Sequence, residues 1–294
     1  MPVLDVFLCT LASVLWGINY LFVKAGVAVF SPINAMFLRF VIVSVILMPW
    51  IIRTPKTQWW PLIKLSVVMG TIYFSLFFIG TAGVPAGEAA IIMQLQVPFA
   101  AVISAFVFRE RLGFKAFTGI VLAMLGVIIT IGMPHHHAQA VRPILYLIAA
   151  SFFWALGNIQ AKKLGDMHPF ILNGTMALLA APQLLVLTLI FEPSALATSL
   201  HHEWKDYLPL FYMAIVSTVI CYSIWFKMLQ RHQVNKVMPF GLLVPVVAVL
   251  ASDIFTGEAI TLHVLIGCIL CVSGLGLVLV KRHASKPALA PEET

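Results

Sequence analysis

Charge is what this sequence has least of. Asp, Glu, Lys and Arg make up 10% of its 294 residues, against about 25% in soluble domains. Hydrophobic residues make up 61%, and mean hydropathy is +1.02. No soluble fold of this size buries so much apolar side chain, so the composition implies a polytopic membrane protein. Hydrophilic chain is equally scarce. The largest excursion, about 192–206, holds Glu192, His201, His202, Glu203, Lys205 and Asp206, too little for a soluble catalytic domain.

The missing motifs exclude further classes. No G-x-x-x-x-G-K-[ST] is present, so no nucleotide-binding loop supplies energy, which must come from a gradient of solute or ion. There is no His-Glu-x-x-His for a zincin and no pair of acids within spans for an aspartyl enzyme. An intramembrane enzyme, the alternative from a different class, is left without machinery, and no cofactor or metal is read. The four cysteines, Cys9, Cys221, Cys268 and Cys271, lie in apolar runs and indicate no disulfide. Cys268 and Cys271 form a C-x-x-C, a redox or metal signal in a soluble protein but small packing residues within lipid. His135, His136 and His137 form a run that can bind metal, though a linker without acids favours an inert role. Asn173-Gly174-Thr175 reads as a glycosylation sequon but falls in a span. The first span lacks a basic n-region, contains Asp5 and shows no cleavage site, so it is not read as a cleaved signal. The net charge of +7 is dispersed over short loops, which argues for topology and against a nucleic-acid partner.

What is present is ten apolar spans, at about 4–23, 32–52, 62–81, 85–108, 114–132, 143–162, 169–191, 207–229, 236–256 and 260–280. With the N-terminus in the cytoplasm, fourteen Lys and Arg fall inside and three (Lys24, Arg142, Lys205) outside, with Arg39 in span two. The excess of positive charge inside places both termini in the cytoplasm.

The chain also repeats itself. Val97-Pro98, Ala101-Val102, Ser104, Phe108, Glu110, Gly119 and Gly126 return as Val244-Pro245, Ala248-Val249, Ser252, Phe255, Glu258, Gly267 and Gly274. Ala12-Ser13-x-x-Trp16 returns as Ala150-Ser151-x-x-Trp154. Glu110 sits among Arg109, Arg111 and Lys115, whereas Glu258 has no basic neighbour in sequence, as expected if the copies face opposite sides of a membrane. The expected fold is therefore all-α and integral to the membrane. Its ten transmembrane helices form two inverted five-helix repeats, 5–132 and 143–281, followed by a cytoplasmic tail at 282–294.

Several residues carry candidate roles. Pro98 and Pro245 lie mid-span and free the carbonyls of Gln94 and Gly241, which lines a watery pathway or merely kinks the helix. Gln94 and Gln96 add amides to that face. Trp16 with Asn19, and Trp154 with Asn158, share helix faces that either contact a solute or glue helices together. Thr218, Tyr222 and Trp225 share a face of span eight, with Tyr73 at about the matching position in span three, as a solute-orienting wall or an aromatic core. Glu88 is the one acid placed within a span, either a proton-coupling site or a first-turn acid complementing the helix dipole. Arg39 binds a solute carboxylate or, as such arginines more often do, snorkels or caps carbonyls. Glu110 and Glu258 read as helix-end caps, and the seven-residue glycine spacings as close helix packing.

Two tandem five-helix units with Ser-x-x-Trp and Pro…Glu-x8-Gly-x6-Gly resemble the EamA family of the drug/metabolite transporter superfamily, over about 5–281. Pro85-Ala86-Gly87, Gln94-x-Gln96, Gly157-Asn158-Ile159 with Lys162-Lys163, and 242–247 resemble the bacterial exporters of O-acetylserine and cysteine within it. The resemblance implies a central cavity and a secondary transporter exporting small amino-acid-like metabolites across the inner (plasma) membrane, with a small-molecule solute and the lipid bilayer as partners; a proton joins them only where Glu88 is a coupling site rather than a first-turn acid. Export of cationic drugs or other metabolites is the alternative within the superfamily, and Glu88 is the residue that favours it.

Overall fold

The computed structural model describes residues 1–108, 114–131, 141–165, 167–232 and 237–279. Glu110, its basic neighbours Arg109 and Arg111, the histidine run and the 282–294 tail lie outside the described residues. The principal helices are α1 (Val3–Phe30), α2 (Pro32–Ile46), α3 (Lys56–Ala82), α4 (86–108), α5 (Phe114–Ile131), α6 (Val141–Lys163), α7 (Pro169–Phe191), α8 (204–231), α9 (238–256) and α10 (Leu262–Leu279). Six of them, α1, α3, α4, α6, α7 and α8, are long and apolar enough to cross a membrane, and α2, α5, α9 and α10 are shorter apolar helices. Large apolar side chains such as Val3, Phe106, Ile190, Ile254 and Ile269 are exposed, as the lipid-facing wall of a membrane bundle requires.

Two boundaries depart from expectation. The first helix runs on to Phe30, so Lys24 sits inside it rather than at its end. The second helix stops at Ile46, and a short helical turn, Met48–Ile51, follows because Pro49 cannot continue the ladder.

The irregular pieces recur in step with the sequence repeat. Met48–Ile51 after α2 is matched by Ala195–Ser199 after α7. A 3-10 turn opens α3 at Lys56–Gln58 and α8 at Trp204–Tyr207. A π-helical stretch widens α3 at Ser66–Tyr73 and α8 at Tyr212–Cys221. A 3-10 stretch interrupts α4 at Met93–Leu95 and α9 at Met238–Leu242, each ending three residues before its proline. The cause of this last pair is local: Pro98 and Pro245 donate no hydrogen bond, so the preceding turn tightens.

Packing repeats in the same way. α1 packs on α8 and α9, and α6 on α3 and α4, while α2 packs on α7, α4 on α9 and α5 on α10. The equivalent helices α2 and α7 run antiparallel. At one end the Glu192 carboxylate accepts from the Ile33 and Asn34 N–H groups, at 3.1 and 2.9 Å. At the other, Thr54 and Thr175 share a hydroxyl hydrogen bond of 2.7 Å. α5 and α10 are antiparallel too, brought together by glycine. A Cβ on Gly126 would sit 2.6 Å from the backbone N of Cys271 and from the Gly267 carbonyl, and one on Gly274 would sit 2.5 Å from the Ala123 N. Cys271 thus belongs to a backbone-to-backbone contact that tolerates only small residues.

Candidate functional site

The first helix is held at both ends by charge. Near its start the buried Asp5 accepts from His232 Nε2 at 2.6 Å and lies 3.9 Å from Arg231, both at the end of α8. Towards its other end, Lys24 pairs with Glu258, in the turn between α9 and α10. The same carboxylate accepts from Ser252 Oγ and, at 3.1 Å, from the Ala86 N–H. Glu258 therefore acts as a cap, but of α4, whose orphan N–H it satisfies. Gly257, at φ 67°, makes the turn that swings it there. Burial alone would raise the Glu258 carboxyl, but the hydrogen bonds from Lys24, Ser252 and Ala86 hold it below its ordinary value.

Beside this pair lies a cavity of about 260 Å³ lined by Pro85, Glu88, Val249, Ser252, Glu258 and Thr261, among others. Glu88, in the first turn of α4, is buried in its wall. Two carboxyl groups of different surroundings thus share one hollow, one tied to an ammonium and one facing it from the helix.

Deeper in the bundle the aromatic candidates converge. Trp16 stands 5.2 Å from both Tyr222 and Trp225, ring centre to ring centre. Its indole N–H donates to the Ser217 carbonyl at 3.1 Å. That carbonyl lies in the π-helical stretch of α8, where the wider turn re-aims backbone groups. On the other side Trp154 lies 4.8 Å from Tyr73, the last residue of the α3 π stretch.

Arg39 lies between the two groups. Its side chain is buried, so it neither snorkels nor reaches a helix end. Its Nη2 donates to Thr218 Oγ1 at 2.7 Å, its guanidinium lies 5.2 Å from the Phe74 ring centre, and Tyr73 and Tyr222 are within electrostatic reach.

The remaining candidates are placed differently. Gln96 donates to the side chain of Gln94 at 3.4 Å, next to the α4 proline break. Asn19 is buried on α1 with its Oδ1 unpaired. Asn158 is exposed and donates to the Trp154 carbonyl on its own helix at 2.8 Å. The structure thus unites Trp16, Tyr73, Trp154, Tyr222 and Trp225. It adds Arg39, whose charge reaches Tyr73 of one group and Tyr222 of the other, a residue that the sequence leaves between two roles.

The comparisons with known proteins fit this architecture. The model of the EamA-like transporter family matches twice, at residues 4–132 and 141–280. The chain belongs to this family. A protein of Salmonella typhimurium named "Probable amino-acid metabolite efflux pump" is 33% identical, the match covering 92% of this chain and 93% of that one. An Escherichia coli protein of the same name is 32% identical over the same shares. An "Uncharacterized transporter" of Archaeoglobus fulgidus is 26% identical, covering 91% of this chain and 95% of its own. A crystal structure at 19% identity, covering 93% of this chain and 95% of the other with a TM-score of 0.67, shares the fold. This EamA protein is thus a multi-pass membrane protein, and its bacterial relatives place it in the inner membrane.

Proposed function

We propose that this EamA protein is a secondary transporter that exports small amino-acid-like metabolites by alternating access. The observation that carries the reading is a cluster of aromatic rings, half-buried to buried, around the buried Arg39 and Thr218. Trp16, Arg39 and Tyr73 come from the first half of the chain, Trp154, Thr218, Tyr222 and Trp225 from the second. A site divided between two halves changes its exposure when the halves rock against each other.

In this reading all ten helices cross the bilayer and the two halves are inverted, with both termini cytoplasmic. The antiparallel packing of α2 on α7 and of α5 on α10 supports the inversion, as does the fourteen-to-three distribution of Lys and Arg. The Asp5–His232 and Lys24–Glu258 pairs then stand at the cytoplasmic and outer ends of α1. Breaking one while keeping the other opens one side at a time. Glu88, facing the outer cavity, is the residue assigned to proton coupling. The relatives named as amino-acid metabolite efflux pumps support the substrate class.

Proteoliposomes preloaded with O-acetyl-L-serine or L-cysteine test this. The expected result is protein-dependent efflux of chemically unaltered solute, lost in Trp154→Ala. Chemical turnover of the solute would point to an enzyme, and neither flux nor turnover to a passive sensor.

A further inference from the structure

Arg39 is a cation at 3% exposure, and among the described residues no carboxylate pairs with it. Its Nε is buried with no hydrogen-bond partner. A lone buried charge of this kind is costly within a membrane bundle, and such residues face interior pathways and mark solute or ion sites.

The duplication supplies an internal comparison. Thr71 and Thr218 are separated by the same interval as Pro98 and Pro245, and both lie within the π stretches. Each is held by a side chain of the neighbouring helix from the opposite half. Thr71 donates to Gln183 Oε1 at 2.8 Å, and Gln183 Nε2 in turn donates to Ser66 Oγ at 2.9 Å. Thr218 accepts from Arg39 and donates its own hydroxyl to the Met213 carbonyl at 2.9 Å, five residues back in the same π stretch. A neutral amide is therefore enough to clasp one π stretch. The positive charge on the other has no structural counterpart in the repeat.

We propose that Arg39 is the carboxylate-binding residue of the transport site, so that the protein selects solutes bearing a free carboxylate over their esters, amides and amines. The unused N–H groups of the guanidinium take the carboxylate. Tyr73 and Tyr222 lie within electrostatic reach of it, and the Trp16–Tyr222–Trp225 and Trp154–Tyr73 contacts form apolar walls for the rest of the solute. This assignment rests on the exporter reading and narrows its substrates to anionic and zwitterionic solutes, away from cationic drugs.

The test uses the purified full-length protein and its Arg39→Gln and Arg39→Lys variants. Arg39→Gln keeps an amide that can bond the Thr218 hydroxyl, as the Gln183 amide bonds that of Thr71 in the other half, and so preserves the clasp. Binding of O-acetyl-L-serine, L-cysteine and L-leucine is titrated by tryptophan fluorescence, beside L-cysteine methyl ester and L-leucine amide, with efflux from proteoliposomes in parallel. The native protein is expected to favour the acids, and Arg39→Gln to weaken them by about thirtyfold while leaving ester and amide unchanged. Arg39→Lys, which keeps the charge without the planar fork, falls between. If ester and amide bind and move as well as the acids, or if folded Arg39→Gln and Arg39→Lys bind the acids like the native protein, the assignment is overturned while transport stands. If no solute of either kind binds or moves, both the assignment and the exporter reading fall.

Discussion

The ammonium of Lys24, on the first helix, donates to the carboxylate of Glu258, 234 positions further along the chain. The pair joins α1 to the α9–α10 turn, and through the Ala86 N–H the same carboxylate also holds the start of α4. Because Glu258 is held below its ordinary value, its contribution is complete above the carboxylate range of the unfolded chain and is lost as pH falls through the lower folded value. The thermal midpoint in detergent is expected to hold across neutral pH and to fall on acidification below the ordinary carboxylate range. Glu258→Gln should flatten that acid limb. A Lys24→Met, Glu258→Gln double-mutant cycle should give a coupling of about 1 kcal/mol, and zero coupling would contradict the pairing.

The glycines of α5 and α10 separate packing from propensity. Gly126→Ala places a Cβ against backbone atoms that cannot yield, and is expected to cost about 1–3 kcal/mol. Gly276→Ala, on the same helix pair but with nothing within 4 Å, is expected to be neutral or slightly stabilising. Thermal unfolding of the two variants decides it; equal midpoints would remove the packing argument.

Glu88 offers a test of coupling. Its carboxyl faces the cavity that Glu258 also lines. Glu88→Gln keeps the shape of the side chain and removes its charge change. The expected outcome is proteoliposome efflux whose rate no longer depends on pH. A native pH profile in the variant would leave Glu88 as a first-turn acid complementing the α4 dipole.

How much was legible in the sequence differs by feature, for physical reasons. The apolar runs gave helix positions, because lipid demands continuous apolar stretches of a certain length. Pro98 and Pro245 marked the tightened turns of α4 and α9, since proline always removes a donor. The π stretches were not legible: Ser66–Tyr73 and Tyr212–Cys221 contain no proline, and the side chains that bond to them, such as Gln183, come from distant helices. The aromatic candidates were visible as shared helix faces. The link between Trp16 and Trp225 was not, because it needs α1 to lie on α8. Arg39 stayed open between binding a solute carboxylate and snorkelling or capping, because the hydroxyl of Thr218 that meets it belongs to another helix. Asp5 was read only as an argument against a signal sequence; its partner His232 lies at the far end of α8 and left no local pattern.

Alternating access of the kind proposed needs two halves threaded through the membrane in opposite senses. The equivalent 3-10 turns at Lys56–Gln58 and Trp204–Tyr207 provide a direct check, since inversion puts them on opposite sides. In intact cells, a membrane-impermeant maleimide is expected to label Lys205→Cys at once and Thr57→Cys only after permeabilisation. Labelling of both positions from the outside, or of both only after permeabilisation, would contradict the inverted arrangement.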